Sequence, residues 1–265
     1  MLKFDLTQKI QEFLKIESLP RKKLGSKVAL ICIVTALFLT LDRYLSDYRF
    51  ILTLLPSMGL IELSDSFSSL MLHHDNAQLH QLIHWAVCII LFYFIFPILF
   101  VVFVLKEPLT EYGLAIHFSW DSYKPYFFML LGMIPIIGYF SGTQSFLAGY
   151  PFYTVERSEQ LYPNFVIWQF LYFLQFIALE FMFRGFLLHG IKRKFGFYAI
   201  FVMMIPYCMI HFGKPMAETF GAIVAGIVLG IMSLKTKSIW PGVMLHYGVA
   251  ILMDLSVLYR KGLLF

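Results

Sequence analysis

The sequence predicts an all-α membrane protein, a polytopic bundle of about seven transmembrane helices with eight as the alternative. Of its 265 residues, 59% are hydrophobic and only 14% are charged, which is far from the composition of a soluble domain. The stretch from Leu82 to Leu105 runs 24 residues without Asp, Glu, Lys or Arg. About 20 apolar residues are enough for a helix to cross a bilayer. The apolar stretches Leu161 to Leu179 and Thr219 to Leu234 are also uncharged.

The predicted spanning segments follow these apolar stretches, with bounds good to a few residues. They are residues 27–45, 81–105, 123–147, 164–194, 196–212, 218–234 and 238–258. A further apolar stretch, 50–61, is interrupted by Pro56 and Gly59 and is too short to span. We expect it to be re-entrant or interfacial, and an eighth crossing is the alternative.

Three regions are predicted: residues 1–26, an N-terminal transmembrane region at 27–160, and a core at 161–258. In the first region the apolar side chains lie at helical spacing with lysines between them, which favours an amphipathic helix on the cytoplasmic membrane surface. A partly disordered tail is an equal alternative. No secretory signal peptide is recognisable, because the region is charged throughout and has no small-residue cleavage site.

Lysine and arginine predict the orientation. Basic clusters at 21–27, 192–194 and 235–237 all fall on one side of a seven-helix bundle, whereas 64–81 contains no Lys or Arg. The N-terminus is therefore expected in the cytoplasm and the C-terminus outside, although Arg260 and Lys261 oppose the second assignment. The net charge of +5 is explained by these loops and does not indicate a nucleic-acid partner. Three cysteines in apolar segments do not predict a disulfide framework.

The last hundred residues place ionisable side chains within apolar helices, where each is a candidate functional residue. They are Glu180, Arg184, His211, Glu218, His246 and Asp254. If the chain reverses at 194–196, the helical rise puts Glu180 and His211 at one depth. The same arithmetic puts His246 one or two turns lower, unless its helix is tilted.

Glu180 and Arg184 are four residues apart, so they share a helical face and can form an ion pair. Arg184 either takes part in chemistry or merely neutralises a buried carboxylate, and the sequence favours neither. Beside a histidine and away from bulk water, Glu180 can act as general base toward a water molecule. It can instead bind a divalent metal such as zinc together with His211 and His246.

A second histidine cluster lies in the N-terminal half. It consists of His73, His74, Asp75, His80 and His84, in which the last two have the i, i+4 spacing of a zinc pair. We expect an exposed loop that runs into a helix, and solvated side chains rather than a metal site.

Three segments of the core resemble the motifs of the CPBP family of intramembrane proteases, the CaaX-protease and bacteriocin-processing or Abi family. They are LEFMFRGFLLHGI, FVMMIPYCMIHFGKP and SIWPGVMLHYGVA, and the upstream KEPLTEYGL is similar to a stretch that precedes the core in bacterial members. The resemblance covers about residues 164–256. It implies that Glu180 and Arg184 match the Glu and Arg of the first motif. His211, with Tyr207 in the aromatic slot, matches the second motif, and His246 matches the third.

Two positions depart from the family pattern. Leu179 stands where the family has its first glutamate, the residue assigned the catalytic role, and Ala250 stands where it has an asparagine. The family's Glu and His activate water, while its second His and the Asn stabilise the oxyanion. Glu218 and Asp254 are the candidate replacements, because Glu218 is predicted at the depth of His211 and Asp254 follows His246 by eight residues on about the same helical face.

The resemblance implies an endopeptidase that hydrolyses a membrane-associated peptide or protein, with a mechanism described as metal-dependent or glutamate-driven. The expected partners are membrane lipid and that substrate, and the expected location is a bacterial cytoplasmic membrane. The rival is a non-enzymatic scaffold, immunity or chaperone-like protein that keeps the fold without the catalytic glutamate. A small transporter with a proton relay ranks last, because no inverted repeat is visible.

Overall fold

The computed structural model of the chain describes residues 21–116 and 119–264. The amphipathic helix expected at 1–26 lies outside the described residues except at its end, where a helix begins at Arg21. Within the described ranges there is no strand, and the predicted all-α class is confirmed.

The described residues form ten α- or π-helices, numbered in chain order. They are α1 (Arg21–Leu45), α2 (Tyr48–Ser57), α3 (61–73), α4 (Ala77–Leu105), α5 (Trp120–Phe140), α6 (Gln144–Gly149), α7 (164–195), α8 (Ala199–Met209), α9 (Met216–Thr236) and α10 (Trp240–Arg260). Three of them, α3, α4 and α7, contain π-helical turns, and the longest such segment is Phe181–His189 in α7.

Five stretches of the described chain are long and apolar enough to cross a membrane. They are Gly25–Leu45, Ala77–Leu105, Ser158–Met209, Met216–Thr236 and Trp240–Arg260. The 52-residue stretch Ser158–Met209 contains both α7 and α8, so it accounts for two of the predicted spanning segments. Helix α5 has the length of a spanning helix but is not among the five.

Polar contacts mark two opposite ends of the bundle. At one end Asn164 Nδ2 donates to Asn76 Oδ1 at 2.9 Å, where α7 and α4 begin. At the other end Arg193 pairs with Glu111 at 3.0 Å, after α4 has ended and close to the end of α7. Helices α4 and α7 therefore run in the same direction, and the basic cluster 192–194 lies at the far end from Asn76.

Two expectations on segment bounds need correction. The predicted span 123–147 ends earlier, because α5 stops at Phe140 and a turn separates it from the short α6. The predicted loop 64–81 is mostly helical, since α3 covers 61–73 and α4 starts at Ala77. The loop was predicted from the polar residues of this stretch, but these residues lie on helices whose exposed faces tolerate them.

The expected interruption of the stretch 50–61 is present. Helix α2 ends at Ser57, and the chain turns at Gly59, whose φ of +77° is a left-handed conformation that glycine adopts without strain. Two short helices therefore replace a spanning one.

Helix α7 runs through the centre of the bundle. Every residue from Phe181 to His189 is buried, and the surrounding core includes Ile31 from α1, Phe92 from α4 and Met203 from α8. A helix that is apolar on all sides belongs in such a position. The burial puts Arg184 in the interior, where its charge needs partners.

The position of the two ends makes the predicted topology testable. Cysteines introduced by Asp75→Cys and Lys194→Cys, both at exposed positions, are expected to react with a membrane-impermeant maleimide from opposite faces of the membrane. The parent protein is the control, because its Cys32, Cys88 and Cys208 are buried or half-buried. Labelling of both introduced cysteines from the same face would contradict the bundle orientation.

Candidate active site

The site is built on the hairpin of α7 and α8. The chain reverses around Gly196, where φ is +56°, and α8 then runs back along α7. As a result the Arg184 guanidinium carbon lies 3.9 Å from the centroid of the Tyr207 ring. A cation stacked at this distance on an aromatic face is attracted by its quadrupole.

Glu180 is the centre of the site, although only 1% of its side chain is exposed. Its Oε1 lies 3.0 Å from Arg184 Nη1 and 3.0 Å from His246 Nδ1 on α10. The Arg184 contact is an ion pair that lacks hydrogen-bond geometry, because the three guanidinium nitrogens have no hydrogen-bond partner. The His246 contact is a hydrogen bond. The structure thus joins α7 and α10 through one carboxylate oxygen.

His246 does not lie one or two turns below Glu180, as the helical rise suggested. Its imidazole reaches the carboxylate directly, and its ring centroid is 4.6 Å from that of Phe176, one turn before Glu180 on α7. The arithmetic assumed helices of equal tilt, whereas α10 packs so that His246 faces the carboxylate. The side chain of His246 is 17% exposed, which makes it the more accessible member of the pair.

Gly242 permits the close approach of α10 to the carboxylate. A Cβ atom at this position would lie 2.8 Å from Glu180 Oε2, closer than Cβ atoms pack. Only glycine therefore leaves room for the carboxylate beside α10, one turn before His246.

We expect Gly242→Ala to destabilise the protein by about 1–3 kcal/mol, because the buried carboxylate must shift away from His246 and Arg184. The free energy of unfolding in mixed detergent micelles measures this. Gly221→Ala is the matched control, since a Cβ there has no atom within 4 Å and alanine is the better helix former. Equal stability of the two variants would show that the carboxylate is not held tightly.

Tyr207 connects the two histidines of the site. Its hydroxyl lies 3.4 Å from His246 Nε2, and its ring is 4.9 Å from the ring of His211, measured between centroids. Glu180 and His211 are thus linked through His246 and Tyr207. The same tyrosine carries the Arg184 cation on its ring, so it contacts three of the predicted site residues.

His211 lies in the turn after α8, outside the spanning helices. Its Nδ1 is 2.9 Å from the carbonyl oxygen of Tyr207, which makes Nδ1–H the donor and leaves Nε2 as an acceptor. Burial, together with the positive charge of Lys214, lowers the pKa of His211 to about 4. The imidazole is therefore neutral at pH 7.

Glu218 does not join Glu180 but forms its own cluster. It pairs with Lys214 at 2.7 Å, one turn earlier, and accepts a short hydrogen bond from the Tyr150 hydroxyl. Lys214 also lies 5.6 Å from the Phe152 ring centroid. The carboxylate thus ties the turn after α8 to the segment between α6 and α7.

Asp254 lies on the far part of α10 and is fully buried. Its Oδ2 accepts a hydrogen bond from Gln169 Nε2 at 2.6 Å, while its Oδ1 has no hydrogen-bond partner. Ala250, one turn earlier, packs in a cluster with the aromatic rings of Trp168 and Phe176. Neither residue replaces an amide beside His246.

Leu179 packs against the apolar core around Phe181. No carboxylate comes from its position, so Glu180 is the acidic group beside His246.

A metal, as the resemblance implies, would need ligands from Glu180, His211 and His246. No group of three His, Cys, Asp or Glu side chains that could hold a metal ion occurs in the described parts of the chain. Glu180 Oε1 and His246 Nδ1 are hydrogen-bonded to each other, so His246 could offer an ion only its Nε2. Metal dependence stays a prediction of the resemblance.

The N-terminal histidines make other contacts. His80 Nδ1 lies 3.2 Å from the carbonyl oxygen of Leu70, and His84 Nε2 lies 2.8 Å from that of Leu45. A ring nitrogen bound to a carbonyl carries its proton and cannot bind zinc at that atom. These contacts favour the structural interpretation of the i, i+4 pair.

Four residues of this region were not recognised as partners from the sequence: Tyr150, Lys214, Gln169 and Gly242. Lys214 could have been found, because it lies one turn before Glu218 at the i, i+4 spacing of an ion pair. The other three carry no local signal, since their contacts bridge distant parts of the chain.

Comparison with known proteins gives a family match over part of the chain. Residues 161–252 match the family model described as type II CAAX prenyl endopeptidase Rce1-like, which covers about a third of the chain. Searches of curated proteins and of solved structures return no significant match. The matched range contains Glu180, Arg184, His211 and His246 and ends just after Ala250. Residues 161–252 are therefore similar to the Rce1-like family within the CPBP intramembrane proteases.

Proposed function

We propose that the protein is an intramembrane endopeptidase in which Glu180 and His246 act as a pair on a water molecule. The hydrogen bond from His246 Nδ1–H to Glu180 Oε1 carries this proposal. It holds the imidazole in the tautomer whose Nε2 is free of a proton and can accept one. The carboxylate also stabilises the imidazolium that results, as a buried carboxylate does in other hydrolases.

We assign the role of general base to His246 rather than to Glu180, which was the candidate from the sequence. The Glu180 side chain is 1% exposed and is engaged by a cation and an imidazole, whereas that of His246 is 17% exposed. A base must reach the proton that it takes, within about 3 Å or through one water. Glu180 is then the residue that orients the base.

The reaction balances as an ordinary hydrolysis. The water oxygen forms a bond to the peptide carbonyl carbon, its proton passes to His246 Nε2, and the carbonyl π electrons move onto the carbonyl oxygen. The carbonyl then re-forms, the C–N bond breaks, and the same proton passes from Nε2 to the leaving nitrogen. The products are a carboxyl end and an amine end, and His246 is restored.

The surroundings of the site support the proposed substrate class. Because the pair lies between α7 and α10, which belong to candidate spanning stretches, its substrate would be a membrane-associated peptide or protein. The location proposed from the resemblance is a bacterial cytoplasmic membrane, where lipid would surround the protein, and nothing in the basic clusters calls for nucleic acid.

A second candidate function rests on Leu179. A chain without the family's first glutamate could keep the fold as a scaffold, immunity or chaperone-like protein, with Glu180 and Arg184 serving only to neutralise each other. The position of His246 on the same carboxylate oxygen favours the enzyme.

The proposed function is tested by reconstituting the purified full-length protein in lipid vesicles with a membrane extract from cells that lack it. New protein ends are identified by terminal labelling and mass spectrometry. We expect cleavage with the wild type and with the control His73→Gln, an exposed histidine, and its loss in His246→Gln. Identical sets of ends with and without the protein would support the scaffold.

A further inference from the structure

We infer that the hydroxyl of Tyr207 is a catalytic hydrogen-bond donor, which stabilises the negative oxygen that develops on the substrate carbonyl. This inference rests on the proposed endopeptidase function. It assigns to Tyr207 a role beyond that of the aromatic side chain which the sequence resemblance implied.

The first step is the protonation state of the neighbouring imidazole. His246 Nδ1 lies 3.0 Å from Glu180 Oε1, so the proton of a neutral ring sits on Nδ1. Nε2 then has only a lone pair and can donate nothing. The Tyr207 hydroxyl, 3.4 Å away, is therefore the donor in the contact with Nε2.

The second step is the length of that contact. A separation of 3.4 Å is well above the usual 2.7–3.0 Å for a strong bond to a hydroxyl, so the contact is weak. A water molecule that binds Nε2 would replace it at little cost. The hydroxyl would then be free to donate to another oxygen on the same side of the imidazole.

The third step compares the other groups that could take this role. The Arg184 guanidinium is stacked on the Tyr207 ring and paired with Glu180, so it contributes positive potential rather than a directed donor. Ala250 offers a methyl group among aromatic rings. Among the side chains that contact His246, Tyr207 thus supplies an O–H group on the Nε2 side.

The chemistry needs such a donor when water attacks. As the water oxygen bonds to the carbonyl carbon and its proton goes to Nε2, the carbonyl oxygen gains a full negative charge. A donor fixed in a site of low dielectric stabilises that charge more than it stabilises the neutral carbonyl. The cation held on the Tyr207 ring adds to this effect.

The experiment compares kcat and KM of Tyr207→Phe with those of the wild type, on the substrate found by terminal labelling. We expect kcat to fall by about 100-fold, the usual loss for one such donor, and KM to change by less than about twofold. Tyr93→Phe is the matched control, because Tyr93 is also buried and packs on Phe183 of α7 but does not contact His246. It is expected to keep the kcat of the wild type.

A rescue separates a catalytic from a structural role. If Tyr207 provides the donor, Tyr207→Phe combined with Ala250→Asn should recover at least about tenfold of the lost kcat, since an amide one turn after His246 can donate in its place. A packing defect would not be repaired by that amide. Failure of the rescue together with an unchanged melting temperature of Tyr207→Phe would count against the inference.

The remaining outcomes are also informative. Ala250→Asn alone should raise kcat by less than about threefold, because a donor is already present. A gain of 100-fold would show that the wild type lacks one and would overturn the inference, even if Tyr207→Phe does not fold. Unchanged kcat in Tyr207→Phe would refute this inference but not the proposed function. A wild type that cleaves nothing would refute the proposed function as well.

Discussion

Glu180→Gln is expected to lower the cleavage rate by about 10⁴-fold while the protein still accumulates in the membrane. Glutamine keeps the shape of the carboxylate, but its amide can donate to His246 Nδ1. The imidazole proton then moves to Nε2, the atom that must accept the proton of water. The same exchange of a buried carboxylate for an amide beside a catalytic histidine costs about this factor in serine proteases. Kinetics in vesicles, beside immunoblots of the membrane fraction, measure both quantities.

Glu218→Gln is the control for this experiment. Its carboxylate lies in a separate cluster with Lys214 and Tyr150. We expect a loss of activity below tenfold, because none of these groups contacts the Glu180–His246 pair. A larger loss in Glu218→Gln than in Glu180→Gln would relocate the base to Glu218. Full cleavage activity in both variants would show that neither carboxylate takes part in the chemistry.

Arg184→Met is expected to destabilise the protein by about 3–5 kcal/mol, the cost of leaving a buried carboxylate without its cation. Neither side chain of the Arg184–Glu180 pair is more than 1% exposed, so water cannot replace the lost partner. The methionine fills much of the volume and limits the contribution of a cavity. Unfolding in mixed detergent micelles gives the free energy.

The double variant Arg184→Met with Glu180→Leu completes this thermodynamic cycle. Replacing both members of a buried pair by apolar residues is commonly neutral or stabilising, so most of the loss should be recovered. Such a recovery, in a protein that no longer cleaves, would show that the pair is retained for chemistry and not for stability. If the double variant is less stable than either single one, the pair is primarily structural.

The sequence predicts the hairpin of α7 and α8 well, because its determinants are local. Uncharged apolar stretches mark both helices, and Gly196 marks the turn between them. Once the turn is located, residues at equal distances before and after it lie opposite each other on the two helices. This is why Arg184 lies against Tyr207. The uncharged apolar stretches also predicted that the ionisable residues of the last hundred residues lie in the interior.

Contacts between distant segments could not be predicted from local patterns in the sequence. The level of His246 depends on how α10 packs against α7, and this is controlled by the close approach at Gly242. Tyr150 and Glu218 are 68 residues apart, and Gln169 and Asp254 are 85 residues apart. No local spacing in the sequence therefore predicts these contacts. The prediction of a loop at 64–81 was wrong because polar residues on an exposed helix face resemble those of a loop.

The π-helical segment of α7 has a consequence for how this protein could change over evolutionary time. A π-helical turn holds one residue more than the hydrogen-bond pattern of an α-helix allows, so it behaves like an insertion that the helix has absorbed. Deleting one residue between Phe181 and His189 would let the helix relax toward the α form. The residues on either side would keep about their present rotational phase, because the wider turn is what takes up the extra residue. The segment could therefore lose one residue with little effect on the contact between His189 and Ser233, 3.1 Å away on α9. Point substitutions are more constrained, since every residue from Phe181 to His189 is buried.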